Sequence, residues 1–292
     1  MNLCKGIHGT LVTQGKVFEI EPDQATLAGF VELDMIPAIL HHISLREGLQ
    51  LSNYSFCDHQ DSDEEKSGAK SFYTNSQTPA LANFNSGEAK VIQALIVNDF
   101  SRYQGLGAYT ESASLDILNL VDAYYKYGSF RTSIRVEVVG QITNNLYDPY
   151  DIKTIGGKVD PSGSPGLLGR FNDYLQRYSP YLPEHDVAVL LSGLTFRNGM
   201  LGLATVGSCC DPTSRGLVTS MITGGLSEQA IVVAHEIGHT IGMSHDGTGN
   251  LCSPSGDIMA AYAGTGTGWS LCSLYYADAF MQTTNANCLT SD

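Results

Sequence analysis

Residues 235–246 read HEIGHTIGMSHD. His235 and His239 stand four positions apart. On a helix both imidazoles then lie on one face, about one turn apart, close enough to share a metal ion. Glu236 falls between them, turned away from that coordination shell but placed to hold a water molecule. Gly242 follows three residues after His239, where a left-handed residue can end the helix and turn the chain. His245 then returns as a third ligand. Three protein nitrogens leave a fourth position open, the arrangement of a catalytic rather than a structural zinc site. One zinc ion held there would bring the pKa of a bound water towards about 7 and polarise a carbonyl oxygen. Glu236 would take the proton of that water and pass it to a leaving amine, so hydrolysis would need no protein nucleophile. HExxH alone also occurs in ordinary helices. Three of the eight histidines within this one short segment, with a glycine at the bend, go beyond that explanation.

Several elements must position this segment. SEQAIVVA (227–234) supports a helix leading into the motif, with Ser227 as its N-cap. Upstream, VIQALIVND (91–99) is an apolar run of strand length. Residues 112–128 carry Leu115, Leu118, Val121 and Tyr125 at helical spacing, and Gly128 suits a stop. IRVEVVGQI (134–142) reads as a strand, and Leu168, Phe171, Leu175 and Tyr178 mark a helix before Pro180. DVAVLLSGLTF (186–196) and GLATVGS (202–208) read as further strands. Strands alternating with helices predict an α/β fold with a mixed, mostly parallel sheet. Nearer the N-terminus, Thr10–Ile20 alternates around Gln14-Gly15, a small β-rich segment. Residues 58–90 are polar, small and weakly periodic, as an exposed, cleavable linker would be. The expected division is 1–60, then a linker at 61–89, then a large domain at 90–292.

Composition sets outer limits. Hydrophobic residues make up 42% of the 292, enough for a sizeable core, and only 16% are charged. Asp plus Glu number 30 against 16 Lys plus Arg, a net charge of −14, which repels phosphate backbones and argues against nucleic acid as a partner. Residues 1–88 hold 12 acids and 5 bases, and 89–292 hold 18 and 11, so each part carries −7 and charge marks no boundary. No apolar run is long enough to span a membrane. The opening MNLCKGIHGTLVTQG lacks a signal peptide's basic and apolar regions. The cysteines at 210, 252, 272 and 288 sit close to punctuating residues, as disulfide staples do, and Asn53-Tyr54-Ser55 is a glycosylation sequon. A secreted, monomeric protein whose leader has been removed is the expectation. Seven cysteines cannot all pair within the chain.

The motif as a whole, HExxHxxGxxHD, resembles that of the metzincin metalloproteases, and Asp246 after the third histidine points to the adamalysin (reprolysin, ADAM-like) branch. Ile258-Met259-Ala260 is similar to the family's Met-turn, which implies that Met259 lies beneath the zinc. ALIVNDFSRYQGLG, GLATVGSCCDPTSRGLV, WSLCS and the late NCL resemble family segments across about residues 90–290. HGTLVTQGKVFEIEPD resembles the end of a prodomain, implying a zymogen. The resemblance implies a metzincin-type catalytic domain hydrolysing peptide bonds of extracellular proteins. It also implies an edge strand at Gly202–Gly207 that takes substrate in extended form, and the pairs Cys210–Cys288 and Cys252–Cys272.

The sequence departs from the family in places. Around the Met-turn, where the family often has more cysteines, only Cys252 stands just before it, so one disulfide is expected to be missing. Asp186 matches an acid of the calcium site that some members carry, but Gln93 and Ser291 stand where an acid and an Asn are usual. This argues against calcium. The linker has Lys66 and Lys70 but no furin-type site. Cys57 lies where a propeptide thiolate could close the open zinc position, although SFCDHQ is not the usual switch motif; a disulfide with Cys4 or Cys209 is equally open. A secreted, toxin-like binding protein on the same scaffold is the rival from another class. Glu236 argues against it, since a binder does not need that residue.

Overall fold

The computed structural model describes residues 89–289, apart from 164, 222–223 and 263–265, and the backbone of three earlier strands. Cys4, the sequon at Asn53, Cys57, the linker lysines and Ser291 lie outside the described residues. The chain divides into two compact units, Met1–Gly48 and Leu49–Asp292.

In the first unit, β1 (Gly9–Thr13), β2 (Lys16–Pro22) and β3 (His41–Leu45) form an antiparallel sheet in the order β1-β2-β3. Thr13 pairs with Lys16, so the alternation expected over Thr10–Ile20 is that of a hairpin.

The second unit is built on a five-stranded sheet. Its strands are β4 (Lys90–Asn98), β5 (Ile134–Thr143), β8 (Val187–Ser192), β9 (Gly202–Ala204) and β10 (Gly216–Ser220), in the order β5-β4-β8-β10-β9. The first four run parallel and β9 is antiparallel at the edge. A two-stranded ribbon, β6 (Thr154–Ile155) and β7 (Lys158–Val159), stands apart. The described helices are α1 (Phe100–Leu106), α2 (Thr110–Lys126), α3 (Leu167–Tyr178), α4 (Leu226–Thr240) and α5 (Leu271–Met281). The expected mixed, mostly parallel α/β arrangement is what forms.

The central strands are largely apolar because both sheet faces are covered. Leu95, Val97, Ala188, Leu190, Val218 and Leu203 pack with Leu167, Phe171 and Leu175 of α3. The alternate residues, such as Ile92, Ala94 and Ile96, point to the other face. There α2 lies over β4 and β5, and α4 lies over β8, β9 and β10. Ile117, Leu118, Val121 and Tyr125 form the buried stripe of α2. Leu115, counted in that stripe from the sequence, is 41% exposed.

Two strands are shorter than their apolar runs. β8 stops at Ser192 because Ser192 Oγ and the Gly193 N–H both donate to the buried Asp99 carboxylate, at 2.5 and 3.0 Å. Asp99 in turn N-caps α1. β9 stops at Ala204, and the chain turns at Gly207, where φ is +71°. The Gly207 and Cys209 N–H groups then donate to the carbonyls of His239 and Thr240, each at 2.9 Å. The edge strand is thereby tied to the end of α4.

Candidate active site

Helix α4 carries the first two histidines, and the sequence misplaces its start. Ser227 lies inside the helix and Gly225 is the N-cap. A glycine has no side chain to cap with. Instead the Glu228 carboxylate reaches back and accepts the Gly225 N–H at 2.8 Å. Ser227 Oγ lies 3.2 Å from the Tyr124 hydroxyl, and Tyr125 donates to the Ala234 carbonyl at 2.8 Å. Helix α2 therefore pins α4 by hydrogen bonds as well as by packing. From Ser227 to Thr240 every residue except Gln229 is buried, the mark of a helix enclosed on all sides.

The three imidazoles converge. His245 Nε2 lies 3.1 Å from His235 Nε2 and 3.2 Å from His239 Nε2. His235 Nδ1 faces the Ile258 carbonyl and His239 Nδ1 the Met243 carbonyl, both at 2.7 Å. A carbonyl only accepts, so both Nδ1 atoms carry the proton and both Nε2 lone pairs point inward. Burial, and then the neighbouring His239 and His245 rings, holds His235 neutral. Converging lone pairs repel unless a cation sits among them. Zinc–nitrogen bonds of about 2.0–2.1 Å in a tetrahedron place nitrogens about 3.3–3.4 Å apart. The donor set and its spacing fit zinc. Gly242 is the bend that makes the third ligand possible, with φ +86°. Among the described residues, His235, His239 and His245 are the one such cluster whose members are all uncommitted to disulfides.

A second layer fixes these ligands. The Asp246 N–H donates to the Met259 carbonyl at 2.9 Å, and the Asn250 amide donates to the His245 carbonyl at 2.8 Å. Ser270 N-caps α5 and donates its hydroxyl to Asp246 Oδ1 at 2.5 Å. Burial raises the Asp246 carboxyl, and Ser270 opposes that. Trp269, between Tyr125 and Phe130, donates Nε1–H to the Tyr124 carbonyl at 3.0 Å and anchors the approach to α5. Met259 is fully buried, and its Sδ lies where a Cβ on Gly238 of α4 would be only 2.7 Å away. Met259 thus packs directly under the helix that bears the histidines.

Glu236 differs from its neighbours. It is fully buried, and neither carboxylate oxygen has a hydrogen-bond partner among the described residues. Burial pushes its carboxyl well above the usual carboxylate range. It faces Gly202 at the start of β9.

Two disulfides, Cys210–Cys288 and Cys252–Cys272, join the pairs that the resemblance implies. Cys252–Cys272 ties the loop after His245 to α5. Cys209 is a free thiol, buried, and burial pushes it far up. Gln93, Asp186 and the Cys210–Cys288 bond come together: the Gln93 N–H donates to Asp186 Oδ2 at 2.8 Å. No described helix is long and apolar enough to cross a membrane.

Sequence reasoning missed Ile258 and Met243, which act through backbone carbonyls and leave no mark in residue type. It also missed the close approach of Gly202 to Glu236 and the Ser270–Asp246 bond. Ser270 did carry a signal, since a serine directly before LCSLYY reads as an N-cap.

The model of the reprolysin (M12B) family of zinc metalloproteases matches residues 90–292. "A disintegrin and metalloproteinase with thrombospondin motifs 16" from Homo sapiens is 31% identical over 72% of this chain and 17% of its own length. "A disintegrin and metalloproteinase with thrombospondin motifs 6", also human, is 26% identical over 99% of this chain and 28% of its own. "Disintegrin and metalloproteinase domain-containing protein 19" of Mus musculus is 29% identical over 69% and 21%. The chain spans less than a third of each of these relatives. With a matching family model over most of its length and a site whose donors fit zinc, the chain belongs to the reprolysin (M12B) family of zinc metalloproteases.

Proposed function

We propose that this chain is a secreted zinc endopeptidase of the adamalysin type that carries the end of its own prodomain, at 1–60, ahead of a cleavable linker at 61–89. His235, His239 and His245 hold the metal, Met259 forms the floor beneath it, and Glu236 is the general base. Bound zinc supplies a positive charge that polarises a peptide carbonyl and acidifies a water molecule. Glu236 accepts that water's proton on its carboxylate and returns it to the departing amine. The edge strand β9 takes substrate as an added strand through its free backbone groups. The two disulfides support an extracellular setting. Calcium is given no part, since Gln93 and Ser291 stand where an acid and an Asn would complete its site. The chain works as a monomer, and Cys57 holds the zinc position closed until the linker is cut.

The observation that carries this reading is the unpartnered, fully buried Glu236 carboxylate beside three converging imidazoles. A scaffold used only for binding has no reason to keep a buried acid without a partner, which costs stability. Replacing Glu236 with Ala is expected to lower peptide cleavage about 10²–10⁴-fold with zinc retained. Chelator-sensitive cleavage at the wild-type rate would refute the assignment.

A further inference from the structure

Gly202 opens the edge strand, and its backbone alone gives no reason for a glycine: its φ lies outside the left-handed region. What excludes a side chain is Glu236. A Cβ on Gly202 would lie 2.6 Å from both Cγ and Cδ of Glu236, where carbon atoms settle at about 3.5–4.0 Å. Strand alternation explains the direction. Leu203 points into the core with α3, so Gly202 points the opposite way, towards α4.

Neither partner can withdraw freely. Gly202 pairs with Thr219 of β10, and the Ser220 N–H donates to the Leu201 carbonyl at 2.7 Å. Glu236 sits mid-helix, enclosed, between two histidines aimed by hydrogen bonds. Its own oxygens have no hydrogen-bond partner among the described residues, so no donor there decides where they point.

We infer that Gly202 is a positioning residue: the bare edge-strand backbone is the surface against which the Glu236 carboxylate is set. The base is placed by packing of strand on helix. Gly202 thus ties the strand that takes substrate to the group that moves the proton. This rests on the proposal that Glu236 is the base, and the test separates the two ideas.

The test is a double-variant cycle on the full chain with Gly202→Ala and Glu236→Ala. In chelator-treated, metal-free protein, Gly202→Ala is expected to lower Tm by roughly 3–10 °C when Glu236 is present. In the Glu236→Ala background the same change should lower it by less than about 1 °C, because the obstructing atoms are gone. In zinc-loaded protein whose 61–89 linker has been cut, Gly202→Ala is expected to keep one zinc per chain and to lose about 10²-fold in kcat, with KM changed by less than roughly threefold. Should Gly202→Ala fail to fold while the double variant folds, the coupling is supported. Equal Tm losses in both backgrounds, failure of both to fold, or an unchanged kcat would overturn it. If Glu236→Ala alone still cleaves peptides, the base assignment fails, yet the Tm coupling remains readable.

Discussion

His235 and His239 are braced by hydrogen bonds, each donating Nδ1–H at 2.7 Å to a carbonyl from the chain that follows the helix. Glu236, next to His235, is braced by none and rests against Gly202. The difference follows from what each group is proposed to do. A ligand keeps one partner throughout, so a fixed hydrogen bond that sets its tautomer and aim is pure gain. A general base must gain and lose a proton. A resident donor would compete for its lone pairs and favour its charged form, lowering its basicity. Packing orients without competing. It also leaves a buried acid unsatisfied, a cost this chain carries at the site where the chemistry is proposed.

The sharpest way to break this contrast is His239→Ala. It removes a ligand and leaves the Met243 carbonyl without its donor. Zinc after dialysis is expected to fall below one tenth of wild type, and peptide cleavage to disappear with it. Full zinc stoichiometry in that variant would mean the three histidines are not the ligand set. Next comes Gly242→Ala. At φ +86° an alanine is strained, while its Cβ would meet Phe280 only at an ordinary 3.5 Å. The strain falls on the turn that presents the Met243 carbonyl. Zinc affinity by chelator competition is expected to drop about 10–100-fold, and unchanged affinity would show that the brace does not matter. The smallest effect on the metal should come from Ser270→Ala. It removes the α5 cap and the donor to Asp246, for about 2–4 kcal/mol of stability. Tm should fall with zinc affinity kept within about tenfold. A loss as large as that of Gly242→Ala would place Asp246 among the groups that aim His245.

Much of this contrast was visible in residue spacing, and part of it was not. The candidate metal-holding histidines were legible because a metal shell demands fixed residue types at fixed helical offsets, and the structure brings their Nε2 atoms together. The central strands β4 and β8 were legible because a sheet covered on both faces requires continuous apolar runs, whereas β10 (GLVTS), equally buried, is too short and too mixed to stand out as one. The ends of β8 and β9 were not. Those runs continue in sequence past Ser192 and Ala204, but Asp99 and the carbonyls closing α4 capture the chain first. Helix α1 (FSRYQGL) is too short and too polar to show a period. In α5 only one side is buried, at Cys272, Ser273, Ala277 and Phe280, while Leu271 on the outer side is 79% exposed. The apolar pattern there does not mark the packed face. The Gly202–Glu236 contact joins residues distant in sequence through a missing side chain. A missing side chain looks the same whether it serves a turn, a strand edge or a neighbour.

Holding the metal and moving the proton fall to different residues, and one paired assay tests that division: zinc content and peptide cleavage measured on the same linker-cut preparation of Glu236→Ala. One zinc per chain is expected, with cleavage lowered about 10²–10⁴-fold. Zinc lost together with activity would show that Glu236 supports the ligands, and retained chelator-sensitive cleavage would show that it is not the base.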